Sequence, residues 1–291
     1  MPSFVDHLQI LPMPYVHGAR QPDGQHRPGG LGMATLSDLL NQRGWTARVE
    51  DLGFDKPMSE SRLAEAFARA IGDGVQSAWE RSRFPIVLSR SGYVALGVID
   101  ALGSRTGVVW ASRPGGYRFG GMLRKPRLDE SSLALLTGRA KRDKLAVRPA
   151  RVDARRVIVL GAEGASADER RAMKEDGIRV IPTAEIDRLP AEVERTAPDG
   201  WYLHVDCSVL GSEHVPGAPA ATPDGIDPAR LSDAIRTSFQ GQRLQAMAVV
   251  GYDMNTDPSG ATTDTVLSLV EAAAEAAGGV PRPETVGGGG G

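Results

Sequence analysis

Cysteine is almost missing from this chain. One residue, Cys207, occurs in 291, which excludes an internal disulfide and any dependence of the fold on an oxidising compartment. Long apolar runs are missing too. None approaches the ~20 residues that span a bilayer, and the opening MPSFVDHLQILPMP lacks the positive region and long apolar stretch of a signal peptide. Neither charge sign dominates. The 34 Lys and Arg against 36 Asp and Glu give a net charge of -2, so global electrostatics call for neither nucleic acid nor an anionic membrane. No internal repeat or linker divides the chain. Together these absences set a cytoplasmic expectation.

What is present is ordinary for a globular protein: 41% hydrophobic and 24% charged residues. The length allows one large domain with a substantial core, or two modest ones. Short apolar or β-branched runs recur at 8–11, 47–52, 85–88, 107–111, 157–161, 178–182, 201–205 and 245–251, each about the length of a buried strand. Amphipathic stretches lie between them at 32–43, 59–82, 93–102, 166–175, 227–239 and 262–277. Ser166 with Glu169 has capping-box spacing. Strands alternating with helices predict an α/β fold: a doubly wound, mostly parallel sheet of about eight strands with helices on both faces. The expected organisation is a single domain over 1–277 and a flexible Pro/Gly-rich tail over 278–291, ending in five glycines that can bury nothing.

In open α/β sheets, ligands bind at the carboxyl ends of strands. The loops beginning at Ser89, Ser112 and Asp206 are therefore where chemistry is expected. Residues 112–127 are irregular, with Gly115, Gly116, Gly120, Gly121 and two prolines.

Those loops carry a resemblance to the arginase/agmatinase (ureohydrolase) family. Phe84-Pro-Ile-Val-Leu88 leads into Ser89-Arg-Ser-Gly-Tyr-Val-Ala-Leu-Gly97, which resembles the family's Gly-Gly-Asp-His-Ser-x-x-x-Gly motif, with its metal-binding histidine at Gly92. Gly107-Val-Val-Trp-Ala111 leads into Ser112-Arg-Pro-Gly-Gly116, where the family has Asp-x-His-x-Asp; the ligands fall at Ser112, Pro114 and Gly116. Asp206-Cys-Ser-Val-Leu-Gly-Ser212, followed by Pro216-Gly217, keeps the spacing of Asp-x-Asp-x-x-Asp-Pro and Pro-Gly. Asp206 matches one ligand, and Ser208 stands at the other. The chain's opening, from Leu11 to Tyr15, through Gly29-Gly30-Leu31 and on to Val49–Gly53, is similar to the family's. So is its closing Asp257-Pro-Ser-Gly260-Ala-Thr262. Before that closing motif Gly251 takes the place of a glutamate that grips the guanidinium; far upstream, Gly120, before Gly121-Met122, takes that of a proton-transfer histidine.

The resemblance implies an arginase-like three-layer fold, homo-oligomers (trimers or hexamers) and a reaction run by two manganese ions bridged by hydroxide. Hard divalent cations need several carboxylate or imidazole ligands. With Gly92, Ser112, Pro114, Gly116 and Ser208 at ligand positions, no metal and no cofactor is expected. The leading expectation is a pseudoenzyme, an interaction or regulatory subunit without ureohydrolase activity. The alternatives are an enzyme repurposed to metal-independent chemistry in specialised biosynthesis around Asp206, a small-molecule sensor or carrier, and retained ureohydrolase activity through another metal arrangement.

Asp206 and His204 share one strand face and are the candidate acid/base groups. Arg90 and Arg113 are candidates to bind an anionic substrate or to pair with Asp206 and fill the old metal volume. Tyr93 and Tyr117 are candidate pocket residues, or caps of a helix and a loop. Cys207 is expected to face the packed side as an inert thiol, and Glu213 and His214 to be surface polar residues. His17 and His26 with Asp23 lack metal-ligand spacing. The stretch 124–156 has eleven Lys and Arg against four Asp and Glu, a solvated face, subunit contact or docking patch.

Overall fold

A computed structural model describes residues 7–13, 33–52, 60–120, 129–140, 151–218, 220–251, 257 and 259–278. Eight strands form one sheet: β1 His7–Met13, β2 Thr46–Val49, β3 Phe84–Ser89, β4 Gly107–Ser112, β5 Val157–Gly161, β6 Arg179–Ile181, β7 Trp201–Asp206 and β8 Leu244–Val250. Their order is β2-β1-β3-β8-β7-β4-β5-β6, and every pairing is parallel. Strands β3, β4, β5 and β8 are buried at every position. Their sequences accordingly run mostly apolar instead of alternating, with Gln245, Ser89 and Ser112 the polar exceptions, as a sheet covered on both faces favours.

The helices are α1 Met33–Gln42, α2 Glu60–Glu80, α3 Val94–Leu102, α4 Ser132–Thr137, α5 Ala167–Glu175, α6 Leu189–Thr196, α7 Pro228–Phe239 and α8 Ala261–Ala276. They divide between two cores. Helices α1, α6, α7 and α8 pack Leu36, Val193, Ile235 and Val270 on one face of the sheet. Helices α2, α3, α4 and α5 pack Ile71, Leu96, Leu135 and Met173 on the other. This is the expected doubly wound α/β arrangement, with a wholly parallel sheet. Gly97 is set by the α2–α3 contact: a Cβ there would lie 2.2 Å from the Ala68 carbonyl oxygen.

Strand order places the site. The chain runs outward from β4 through β5 to β6, then returns with β7 and β8 to fill the gap between β4 and β3. The carboxyl ends of β3, β8, β7 and β4 therefore lie side by side at the middle of the sheet, the kind of position where such folds bind ligands. Among the described residues, no helix is long and apolar enough to cross a membrane. His17, Asp23, His26, Gly29 to Leu31, the Gly121-Met122 pair, much of the basic stretch 124–156 and the glycine tail lie outside the described residues.

Candidate functional site

Side chains alternate along a strand, so residues two apart share a face. On β4 this puts Trp110 and Ser112 together. On β7 it puts Tyr202, His204 and Asp206 together. The strands are neighbours, and Trp110 lies in register with His204. The two rings stack at 3.6 Å between centroids, with 4° between planes. The Tyr202 hydroxyl lies 2.8 Å from His204 Nδ1. Cys207 joins the opposite core, fully covered; burial, then the charge of Asp206, pushes its thiol well up, so it is no nucleophile.

Asp206 ends β7 and caps the short turn Cys207–Val209. Its carboxylate accepts from the Ser208 amide at 2.9 Å and from the Ser112 hydroxyl at 3.2 Å. Ser208 Oγ accepts from the Arg113 amide at 3.4 Å. Gly251, at φ +74°, lies so close that a Cβ would stand 2.7 Å from Asp206 Oδ1. The position matched to a substrate-gripping glutamate therefore admits no side chain while Asp206 holds its present place.

Asp206, Ser112 and Gly251 border a cavity of about 180 Å³, whose wall Ser208 does not join. Gly92, Ser112, Pro114, Gly116 and Asp206, from three separate segments, all line it. Its wall also includes Arg90, Trp110, His204 and, from the far side of β4, Arg118, Glu130 and Glu169. Arg118 lies 3.4 Å from Glu130 and 3.5 Å from Glu169. Glu169 is buried because it closes the expected capping box of α5: its Oε2 accepts from the Ser166 amide at 2.9 Å, while Ser166 Oγ accepts from the Glu169 amide at 3.2 Å.

Burial dominates the electrostatics of the ring pair. It lowers His204 to about 3 and raises Tyr202 well above its ordinary value. His204 is thus a neutral imidazole at ordinary pH, and a weak base. Its Nε2, the indole Nε1 of Trp110 and Glu169 Oε1 are covered and have no hydrogen-bond partner among the described residues.

Of the side chains singled out from the sequence, Asp206, His204 and Arg90 reach the cavity wall, and Arg113, Tyr93 and Tyr117 do not. Arg113 turns outward to Asp224 at 3.3 Å instead of meeting Asp206. Tyr117 is buried behind the loop, donating to Asp176 at 2.6 Å and lying 3.1 Å from the Thr137 hydroxyl. Burial, then the hydrogen bond to Asp176, raises its phenol. Tyr93 is buried at the start of α3. His214 lies half-exposed, 3.6 Å from both Glu213 and Asp227. Sequence reasoning missed Trp110, Arg118, Glu130 and the inward role of Glu169. Only Trp110 had a readable signal, its place two residues before Ser112.

The residues do not fit a two-manganese centre. At the six positions set by the resemblance, glycine and proline offer no side-chain donor, serine offers a neutral hydroxyl, and the single carboxylate is already engaged by Ser112 and Ser208. Among the described residues, no group of three or more His, Cys, Asp or Glu could hold a metal ion.

Fold and site define an all-parallel α/β protein with a cavity at the carboxyl ends of its central strands. The arginase family model matches residues 10–275, and the chain belongs to the arginase family. The arginase of Bacillus subtilis (strain 168) is 24% identical over 296 residues, covering 91% of this chain and 96% of that one. The crystal structure of arginase from Bacillus subtilis subsp. subtilis str. 168 superposes with a TM-score of 0.75 at 21% identity, covering 92% of this chain and 97% of that chain. Entamoeba histolytica arginase in complex with L-ornithine gives 0.77 at 15% identity, covering 92% and 98%.

These matches correct the expectation of a pseudoenzyme acting as an interaction or regulatory subunit. The relatives that run along nearly the whole chain are arginases, and an arginase-like enzyme is what they support.

Proposed function

We propose that this chain is an arginase-like enzyme that hydrolyses a C–N bond of a small substrate in the cavity at the ends of β3, β4, β7 and β8. The observation that carries the reading is Asp206. It is a partly exposed carboxylate in the cavity wall, held in place by the Ser208 amide and the Ser112 hydroxyl. A positioned carboxylate within reach of water is a general base. In this reading Asp206 takes a proton from water as the water oxygen bonds to the substrate carbon. The C–N bond then breaks, and the proton passes to the departing nitrogen. Arg90, in the same wall, binds a negative group of the substrate. The two-manganese centre does not fit these residues, and no step runs through it. Assembly into a homo-oligomer belongs to the reading and rests on family membership.

The test is ammonia or urea release from a panel of guanidino, amidino and carboxamide compounds, by wild type and Asp206→Asn. Turnover by wild type that falls about a hundredfold or more in the variant, with an unchanged unfolding curve, supports the proposal. No turnover across the panel, or equal turnover by the variant, overturns it.

A further inference from the structure

The stacked rings behind the cavity present a pair of unused polar atoms that the acid/base scheme does not employ. Tyr202 and His204 share one hydrogen bond at 2.8 Å, and both are fully buried. If His204 Nδ1 carried the proton, the Tyr202 hydroxyl hydrogen would be buried with no other acceptor among the described residues, a costly arrangement. The Tyr202 hydroxyl therefore donates to Nδ1, and the imidazole proton sits on Nε2. Trp110 Nε1 is a donor by its chemistry. Two N–H donors thus stand on parallel rings 3.6 Å apart, both lacking an acceptor among the described residues.

Both rings belong to the cavity wall. Gly92 lines the cavity, and a Cβ built on it would meet His204 Nε2 at 3.6 Å and the Trp110 ring at 3.7 Å. Those are ordinary van der Waals distances, so a methyl group at position 92 would cover the ring edges without displacing them. Gly116 faces the same indole edge, where a Cβ would come within 3.5 Å of Nε1. A third buried atom in the cavity wall, Glu169 Oε1, is an acceptor without a partner among the described residues.

We propose that Trp110 Nε1–H and His204 Nε2–H form a two-donor cradle for an oxygen of the bound ligand, the acceptor oxygen of a carboxylate or a carboxamide, held at the ring edges beside Gly92. The proposal rests on the reading of this cavity as the ligand site. It gives His204 the part of a neutral hydrogen-bond donor, and it makes the missing side chain of Gly92 what keeps the ring edges uncovered. A guanidinium, which has donors and no acceptor, does not suit the cradle. A carboxamide would also offer an N–H to Glu169 Oε1.

The full chain, labelled with nitrogen-15, allows both donors to be followed by NMR. The Trp110→Phe variant assigns the indole resonance, and two-bond correlations give the His204 tautomer. Acetate, acetamide and guanidinium chloride are the probes. The expected result is an Nε2–H tautomer, with both N–H resonances moved downfield, saturably, by acetate, acetamide or both. A response to acetate alone identifies a carboxylate ligand, and to acetamide alone a carboxamide. Gly92→Ala, which the contact distances allow to fold, should abolish the response, and Trp110→Phe should weaken binding about fivefold to tenfold. An Nδ1–H tautomer, no response to either oxygen probe, a response to guanidinium alone, or undiminished binding by Gly92→Ala would overturn the cradle. The titration reads binding without turnover, so failure of the hydrolytic reading would leave it standing. Conversely, turnover by Gly92→Ala at unchanged KM would overturn the cradle and leave hydrolysis intact.

Discussion

Lowering the pH from 7 to 5 should cost this protein about 2 kcal/mol of stability through His204 alone. Burial holds the folded imidazole at about 3, against 6.5 for an ordinary histidine. Between those values the unfolded chain binds a proton that the folded chain refuses. Stability is complete above 6.5, declines as pH falls through that value, and goes on declining to about 3. Each unit within the window is worth about 1.4 kcal/mol. Only a few tenths of this are lost at pH 7 and most of the first two units by pH 5, hence about 2 kcal/mol. The assay is urea unfolding at both pH values for wild type and His204→Gln. Every other titrating group is common to the two proteins, so the comparison isolates the imidazole. Wild type should lose about 2 kcal/mol more than the variant over this interval. Equal losses would refute the reasoning, and would mean that water reaches His204 through the cavity.

Gly251→Ala should displace the Asp206 carboxylate, because its Cβ would fall 2.7 Å from Oδ1 at a backbone φ of +74°; turnover should be lost and stability reduced by about 1–3 kcal/mol in thermal unfolding. Gly97→Ala should destabilise by about 1–3 kcal/mol, since α2 and α3 must separate to clear the Ala68 carbonyl; a melting temperature equal to wild type would contradict this. Ser166→Ala removes one half of the capping box on α5 and should cost about 1 kcal/mol by urea unfolding.

The sheet was legible in the sequence because its strands are buried on both faces. A short run such as Val157–Gly161, rich in β-branched residues, suits a buried strand, and the structure puts that strand at the expected residues. Edge strands were less sharply readable. Strand β2 ends at Val49 and not at Leu52, and β6 spans only Arg179–Ile181, because an edge strand is paired along one side. Helix α4, at six residues, is too short to display a helical period, and α6 has eight residues with a proline in its first turn. Both went unread. In the site, alternation linked His204 to Asp206 because the pair lies on one strand. The partners brought by other elements, Glu130 and Glu169, come together only through packing, which no local pattern encodes. Arg113 misled for a related reason: a loop residue has no fixed face, and its guanidinium found Asp224 instead of Asp206. Motif spacing allowed the family to be recognised, while substituted ligand positions suggested a non-catalytic role that the arginase relatives do not support.

The central question is whether this arginase-family cavity works through Asp206 and without a two-metal centre. The most direct measurement is the turnover of wild type on a C–N substrate from the panel, with excess chelator and then with excess manganese, with bound metal counted per chain. The account expects equal rates in both conditions and bound manganese well below one per chain. Activity abolished by chelator and restored with about two manganese ions per chain, the centre this family implies, would contradict it.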